Sequence, residues 1–160
     1  MRPMPLDTRV TVEPLDAADI VAVAHCLVID ADVFPASSVT FQAAWWQSHV
    51  LVARDAGAAG GRVLGFIGVA RRAGDRYVEA VGVAVDAQHQ GVGRALMNAT
   101  LDRARETGAR TVSLHVSPEN HPAIELYLSL GFTPRRRVRR FYQPGLFQGS
   151  DDAYEMVLDL

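Results

Sequence analysis

The chain has 160 residues, a formal net charge of −2, 49% hydrophobic and 21% charged residues. Those values suit a single globular domain spanning 1–160 and argue against a general binder of nucleic acid. One cysteine, Cys26, excludes an internal disulfide and any multi-cysteine metal site, so no metal is expected; all 16 basic residues are arginine, which excludes a lysine P-loop, a Schiff base and a lysine general base. No run approaches the roughly 20 apolar residues of a membrane span, and MRPMPLDTRV lacks the apolar core of a signal peptide. A cytoplasmic protein without a membrane or nucleic-acid partner is the expectation, as a monomer or a homodimer.

Arg9 to Leu15 alternates like a first strand. Asp16 is placed to cap a helix from about Ala17 to Asp30, with Asp19 in its first turn. FPASS breaks the chain, and a short second helix is expected around residues 41–48. Three β-rich runs follow, HVLVARD, RVLGFIGVARRA and RYVEAVGVAV, separated by AGAAGG and AGD turns as in an antiparallel meander. Gly93 to Thr107 is a helix by periodicity. Arg94, Asn98, Asp102 and Arg105 share its polar face, and Gly108 stops it. RTVSLHV is a strand, and SPENHPAIELYLSLGF a helix with Asn120 as cap and Gly131 at its end. Strands over about Phe132 to Tyr142 and Asp152 to Leu158 close the chain. The order β-α-α-β-β-β-α-β-α-β-β describes an α+β class protein, a mixed sheet with about four helices.

The segment DAQHQGVGRALM, Asp86 to Met97, joins a strand to a helix through Gly91 and Gly93. Glycines let backbone N–H groups approach a ligand, and a helix N-terminus adds partial positive charge, so the segment suits an anion. It is not a P-loop, which needs Gly-Lys-Ser/Thr, nor a dinucleotide fingerprint, which needs glycine where Leu96 stands. Taken alone it also reads as an ordinary glycine-containing turn.

VAVDAQHQGVGRAL resembles the acetyl-coenzyme A loop of the GNAT acetyltransferase superfamily, Gln/Arg-x-x-Gly-x-Gly/Ala, through Gln88, Gly91 and Gly93. LHVSPENHPAIELYLSLGF resembles that superfamily's later signature at Leu114, Val116, Asn120, Ala123, Tyr127, Gly131 and Phe132. The element order is also the superfamily's, a seven-stranded, mostly antiparallel sheet whose central strands splay at the acetyl-coenzyme A site. The resemblance implies that Val83, Ala84 and Val85 offer backbone groups to the pantetheine arm, with an oxyanion donor near Val83. It implies that Gln88, His89, Gln90, Gly91, Val92, Gly93 and Arg94 cradle the pyrophosphate, with Asn120 and Tyr127 also facing coenzyme A. Arg94 reads equally as a solvated helix-face residue.

Direct acetyl transfer to an amine requires a deprotonated amine, alignment with the thioester, donors for the oxyanion and a proton for the thiolate. By the resemblance, Tyr127 takes the donor place. His115, Tyr77 and Glu79 are candidates for the base, with His115 and Tyr77 at places similar to those of NatE-type N-terminal acetyltransferases. Which of the three removes the proton stays open at this point.

DVFPASSVTF resembles the Phe-Pro loop of N-terminal acetyltransferases, and RRFYQPGLFQGSDDAYEMVL their last hairpin. Phe34, Pro35, Phe141 and Tyr142 are therefore expected to hold the acceptor. The family's tyrosine after Phe-Pro is absent, and Phe141 stands where a tyrosine is usual. An α-amine, with a pKa of about 8 against about 10.4 for lysine, asks less of a weak base. The implied acceptor is thus a peptide or protein N-terminus. A small-molecule amine is the alternative within enzymes, and a non-catalytic coenzyme A-binding module the alternative outside them. RRRVRR, Arg135 to Arg140, reads as a solvated strand face.

Overall fold

The computed structural model describes residues 10–34, 49–57, 61–146 and 149–160. In chain order these form β1 (Val10–Pro14), α1 (Ile20–Val33), β2 (His49–Asp55), β3 (Val63–Arg72), β4 (Asp75–Val83), a 3-10 turn (Val85–Ala87), α2 (Val92–Glu106), β5 (Thr111–Val116), α3 (His121–Ser129), β6 (Thr133–Val138) and β7 (Ala153–Asp159). The strands make a seven-stranded sheet in the order β1-β2-β3-β4-β5-β7-β6. β4 and β5 run parallel, whereas β1–β2, β2–β3, β5–β7 and β6–β7 are antiparallel. The mixed sheet is the one expected from sequence, and the elements among the described residues follow the expected order. Three α-helices occur among the described residues; the helix expected around 41–48 lies outside them.

The first helix begins three residues later than its sequence suggested. Asp19, not Asp16, is the cap: its carboxylate accepts from the Ala22 amide at 2.9 Å and from Arg54 at 2.7 Å. Asp16 instead accepts from the Ala18 amide within the preceding turn. Two acids three residues apart both fit a cap, and the arginine of β2 decides between them.

The last-but-one strand is also shorter than expected, ending at Val138. Arg140 takes a left-handed conformation, φ 52°, and its N–H donates to Asp152 at 3.0 Å, so the backbone turns where an arginine run alone would continue.

Contacts divide the chain into two compact units, each built from two segments: Met1–Ala70 with Glu79–Asp102, and Arg71–Val78 with Arg103–Leu160. The first has a core of Cys26, Val52, Phe66, Ile67, Val92, Leu96 and Met97, all almost fully buried. Gly65 exists there because of crowding: a Cβ would stand 2.7 Å from the Gly82 carbonyl oxygen and 3.1 Å from Val92. The second unit packs Val112, Leu114, Phe132 and Met156. Alternate residues of β5 are buried, which turns Thr111, Ser113 and His115 to the opposite face.

Candidate active site

In the first unit, the end of β4 runs through the 3-10 turn into the glycine loop and α2. Two glutamines hold this loop: half-buried Gln88 Nε2 donates to the Val83 carbonyl at 3.1 Å and exposed Gln90 Nε2 to the Asp86 carbonyl at 2.9 Å. Asp86 is paired with Arg62 at 2.7 Å, which holds its carboxyl below the usual carboxylate range. His89 and Gly91 are both left-handed, φ 59° and 88°. Such alternation turns successive N–H groups toward one side, as in anion-binding nests. The bond from the Ala95 amide to the Gly91 carbonyl, 2.9 Å, starts the helical ladder, so the amides of Val92, Gly93 and Arg94 precede it. Arg94 lies on the exposed face of α2.

Of the residues expected to offer backbone groups to a pantetheine arm, Ala84 is committed to the fold. Its N–H donates to the Leu64 carbonyl at 2.8 Å, and its own carbonyl accepts from Ala87 at 2.8 Å. Val83 and Val85 flank it. Phe34 is half-buried with its ring 6.4 Å from that of Phe66, and Pro35 lies outside the described residues.

In the second unit, the structure brings Tyr77 and His115 together. The Tyr77 hydroxyl and His115 Nδ1 are 2.9 Å apart. Register explains the meeting: Tyr77 pairs with Ser113, so its side chain stands on the face that His115 shares. His115 in turn pairs with Glu155, and Glu155 with Arg136, placing imidazole, carboxylate and guanidinium on one rung across β5, β7 and β6. Arg136 Nε contacts the Glu155 carboxylate at 2.5 Å. Phe141 stacks on the imidazole, centroids 4.2 Å apart and planes within 11°, and Tyr142 meets Phe141 edge-on at 4.9 Å. Arg72 lies over the Tyr77 ring, 3.7 Å from guanidinium carbon to centroid.

These surroundings set protonation. Burial lowers the His115 pKa from its ordinary value; Arg72 and Arg136 push the same way, and Glu155 opposes them. The imidazole is therefore neutral at pH 7. Tyr127, on α3, is buried beside Phe132, and burial pushes its phenol up to about 12. Tyr142 also reaches about 12, by burial first and then through Tyr77 and Tyr127. Glu79 is half-buried on β4 and belongs to the first unit. Asn120 caps α3, accepting from the Ala123 amide at 3.3 Å. In the arginine run, Arg137 pairs with Asp152 at 2.8 Å, while Arg135, Arg139 and Arg140 are exposed.

Arg72 and Glu155 escaped the sequence reading. Neither belongs to a motif, and both reach the site through strand register, which a single sequence does not carry. Among the described residues, no three His, Cys, Asp or Glu side chains gather as metal ligands, and no helix is long and apolar enough to cross a membrane. Cys26 is fully buried, its thiol pushed up to about 12 by burial, as suits a structural residue.

The sheet order, its parallel central pair and the glycine loop opening a helix define the fold of coenzyme A-dependent N-acetyltransferases. The ribosomal-protein-S18-alanine N-acetyltransferase from Escherichia coli superposes with a TM-score of 0.75 at 28% identity, over 94% of this chain and 93% of that one. A GNAT family acetyltransferase from Elizabethkingia anophelis, solved with acetyl-coenzyme A bound, shares the fold with a TM-score of 0.77 at 14% identity, over 95% and 99%. Residues 22–132 match the acetyltransferase (GNAT) family, and the chain belongs to that family. By sequence it is 40% identical to the [Ribosomal protein bS18]-alanine N-acetyltransferase of Escherichia coli K12 over 80 residues, 50% of this chain and 53% of that protein. It is 42% identical to the mycothiol acetyltransferase of Pseudarthrobacter chlorophenolicus over 83 residues, 47% of this chain and 25% of that one. The chain thus spans about half of one curated relative and a quarter of the other.

Proposed function

We propose that this protein transfers the acetyl group of acetyl-coenzyme A directly to a primary amine, with a peptide or protein N-terminus as the acceptor. The observation that carries this reading is the contact between the Tyr77 hydroxyl and His115 Nδ1, beside an imidazole kept neutral. A protein that only bound coenzyme A would have no use for a hydrogen-bonded acceptor of protons.

In this reading the Tyr77–His115 pair takes the proton of the incoming ammonium, either on the imidazole itself or through the phenol with its own proton passing to Nδ1. The freed lone pair attacks the thioester carbonyl; as the carbon–sulfur bond breaks and the amide forms, the nitrogen releases its second proton, which the departing thiolate takes up to leave as the thiol. An α-ammonium with a pKa of about 8 releases its proton to such a base more readily than a lysine at about 10.4. Gln88 to Arg94 hold the pyrophosphate, the left-handed His89 and Gly91 aiming the amides. Tyr127, with a phenol near 12, stays protonated and stabilises the departing thiolate by donating a hydrogen bond to it. Phe141 and Tyr142 border the acceptor's entry.

The likeness to the bS18-alanine N-acetyltransferase supports a protein N-terminus. The likeness to a mycothiol acetyltransferase supports a second reading, a small-molecule amine. Initial rates of thiol release with acetyl-coenzyme A and N-terminal peptides, lysine peptides and small amines separate the two. The proposal expects the highest kcat/KM with a free peptide α-amine. Equal or faster turnover of small amines would sink it, and tight coenzyme A binding without turnover of any acceptor would point to a binding module.

A further inference from the structure

Arg72 ends β3 at an exposed position, one residue before the two-residue turn Ala73–Gly74. Both turn residues have positive φ, 46° and 89°, the pattern of a tight hairpin turn that fixes where the flanking side chains go. An exposed arginine is ordinarily solvated, yet this guanidinium sits 3.7 Å from the Tyr77 ring centroid, well inside the roughly 6 Å range of a cation–π contact. The same phenol meets His115 Nδ1. The imidazole is thus oriented from two sides, by Phe141 against its face and by Tyr77 at Nδ1.

We infer that Arg72 is a positioning residue for the proposed base: it clamps the Tyr77 ring so that the phenol points at His115, and it stands as a fixed positive charge beside the pair. This rests on the reading of Tyr77 and His115 as the proton acceptor. Both effects serve one need. The acceptor amine arrives as a cation, and its proton can be taken only by an imidazole that is empty and correctly turned. Among the described residues, the groups that act on His115 are Arg72 from β3, Tyr77 from β4, Glu155 from β7 and Arg136 from β6, with Phe141 stacked on its ring and Tyr142 against Phe141. Glu155 is the one anion among them, and Arg136 is paired with it. Among the described residues, that leaves Arg72 as the positive charge beside His115 that is not paired with a carboxylate.

The test is the titration midpoint of His115, read by NMR of the imidazole in the free protein, for wild type, R72Q, R72M and R72K. R72Q and R72M should raise the midpoint by roughly half a pH unit. The acidic limb of kcat/KM should move by the same amount with the best amine of the panel. R72K should keep the wild-type midpoint but lose several-fold in kcat, because a point charge lacks the planar face that clamps the ring. R72M still covers the ring with an apolar stem, so it serves if R72Q does not fold. A midpoint unchanged in the charge-deleted variants overturns the inference. Because the midpoint is measured without acceptor or acetyl-coenzyme A, it decides the matter even if no amine in the panel turns over, a result that would sink the proposed function instead.

Discussion

Gly65→Ala isolates the unit that carries the glycine loop proposed to hold acetyl-coenzyme A. The new Cβ would lie 2.7 Å from the Gly82 carbonyl oxygen, 3.1 Å from Val92 Cγ1 and 3.2 Å from Leu96 Cδ1. The first neighbour is backbone and cannot rotate away, and Val92 and Leu96 are packed in the core with 1% and 0% exposure. Relief requires β3 and β4 to separate or the first turns of α2 to move outward. Overpacking of this kind costs about 1–3 kcal/mol, offset by up to about 1 kcal/mol from the lower chain entropy of alanine in the unfolded state. A net loss of about 1–2 kcal/mol corresponds to a fall in Tm of roughly 3–7 °C for a chain of this size. Because Val92 directly follows Gly91, the displaced helix should also raise the KM for acetyl-coenzyme A several-fold and leave the acceptor KM unchanged. Thermal melts and thiol-release kinetics read both, and buried Cys26 should not react with the thiol reagent in the folded protein. Gly108→Ala is the control: φ is +72° with open space around it, so it should cost about 1–2 kcal/mol in strain without changing either KM. A G65A protein that melts within 1 °C of wild type with an unchanged KM would refute the reasoning.

Tyr77→Phe keeps the ring beneath Arg72 and removes only the hydroxyl at Nδ1; orphaning a half-buried hydrogen-bonding group costs about 1–3 kcal/mol, so kcat/KM should fall by roughly 5- to 150-fold. Activity within twofold of wild type would remove the pair from the mechanism. His115 binds protons more weakly when folded than when unfolded, so its stabilising effect is complete above the unfolded pKa of about 6.5 and is lost as pH falls through its lower folded value. His115→Gln should therefore flatten the dependence of Tm on pH below about 6.5, and an unaltered slope would contradict the pKa assignment. Asn120→Ala removes the cap of α3 and should cost about 1 kcal/mol, whereas Asn120→Asp should restore it; urea melts of the two variants that coincide would show that the cap contributes nothing.

Much of this protein could be read from its residues because the relevant forces are local. Alternating polarity announced the strands, the helical period announced α2, and Asn120 and Gly131 marked the ends of α3, since caps and glycine turns act within a few residues. The loop from Gln88 to Arg94 was legible for the same reason: its glycines and the helix that follows are contiguous. The choice of Asp19 over Asp16 was not, because it depends on Arg54, 35 residues away.

The proposed base and its neighbours divide in the same way. The sequence by itself determined which residues were available, Tyr77, Glu79, His115 and Tyr127, and fixed the polarity of the strands that carry them. Only the tertiary structure decided that Tyr77 meets His115, that Phe141 stacks on the imidazole, and that Arg72, Glu155 and Arg136 set its charge environment. Those are matters of register between strands up to about 80 residues apart, where a shift of one residue would turn each side chain to the other face of the sheet.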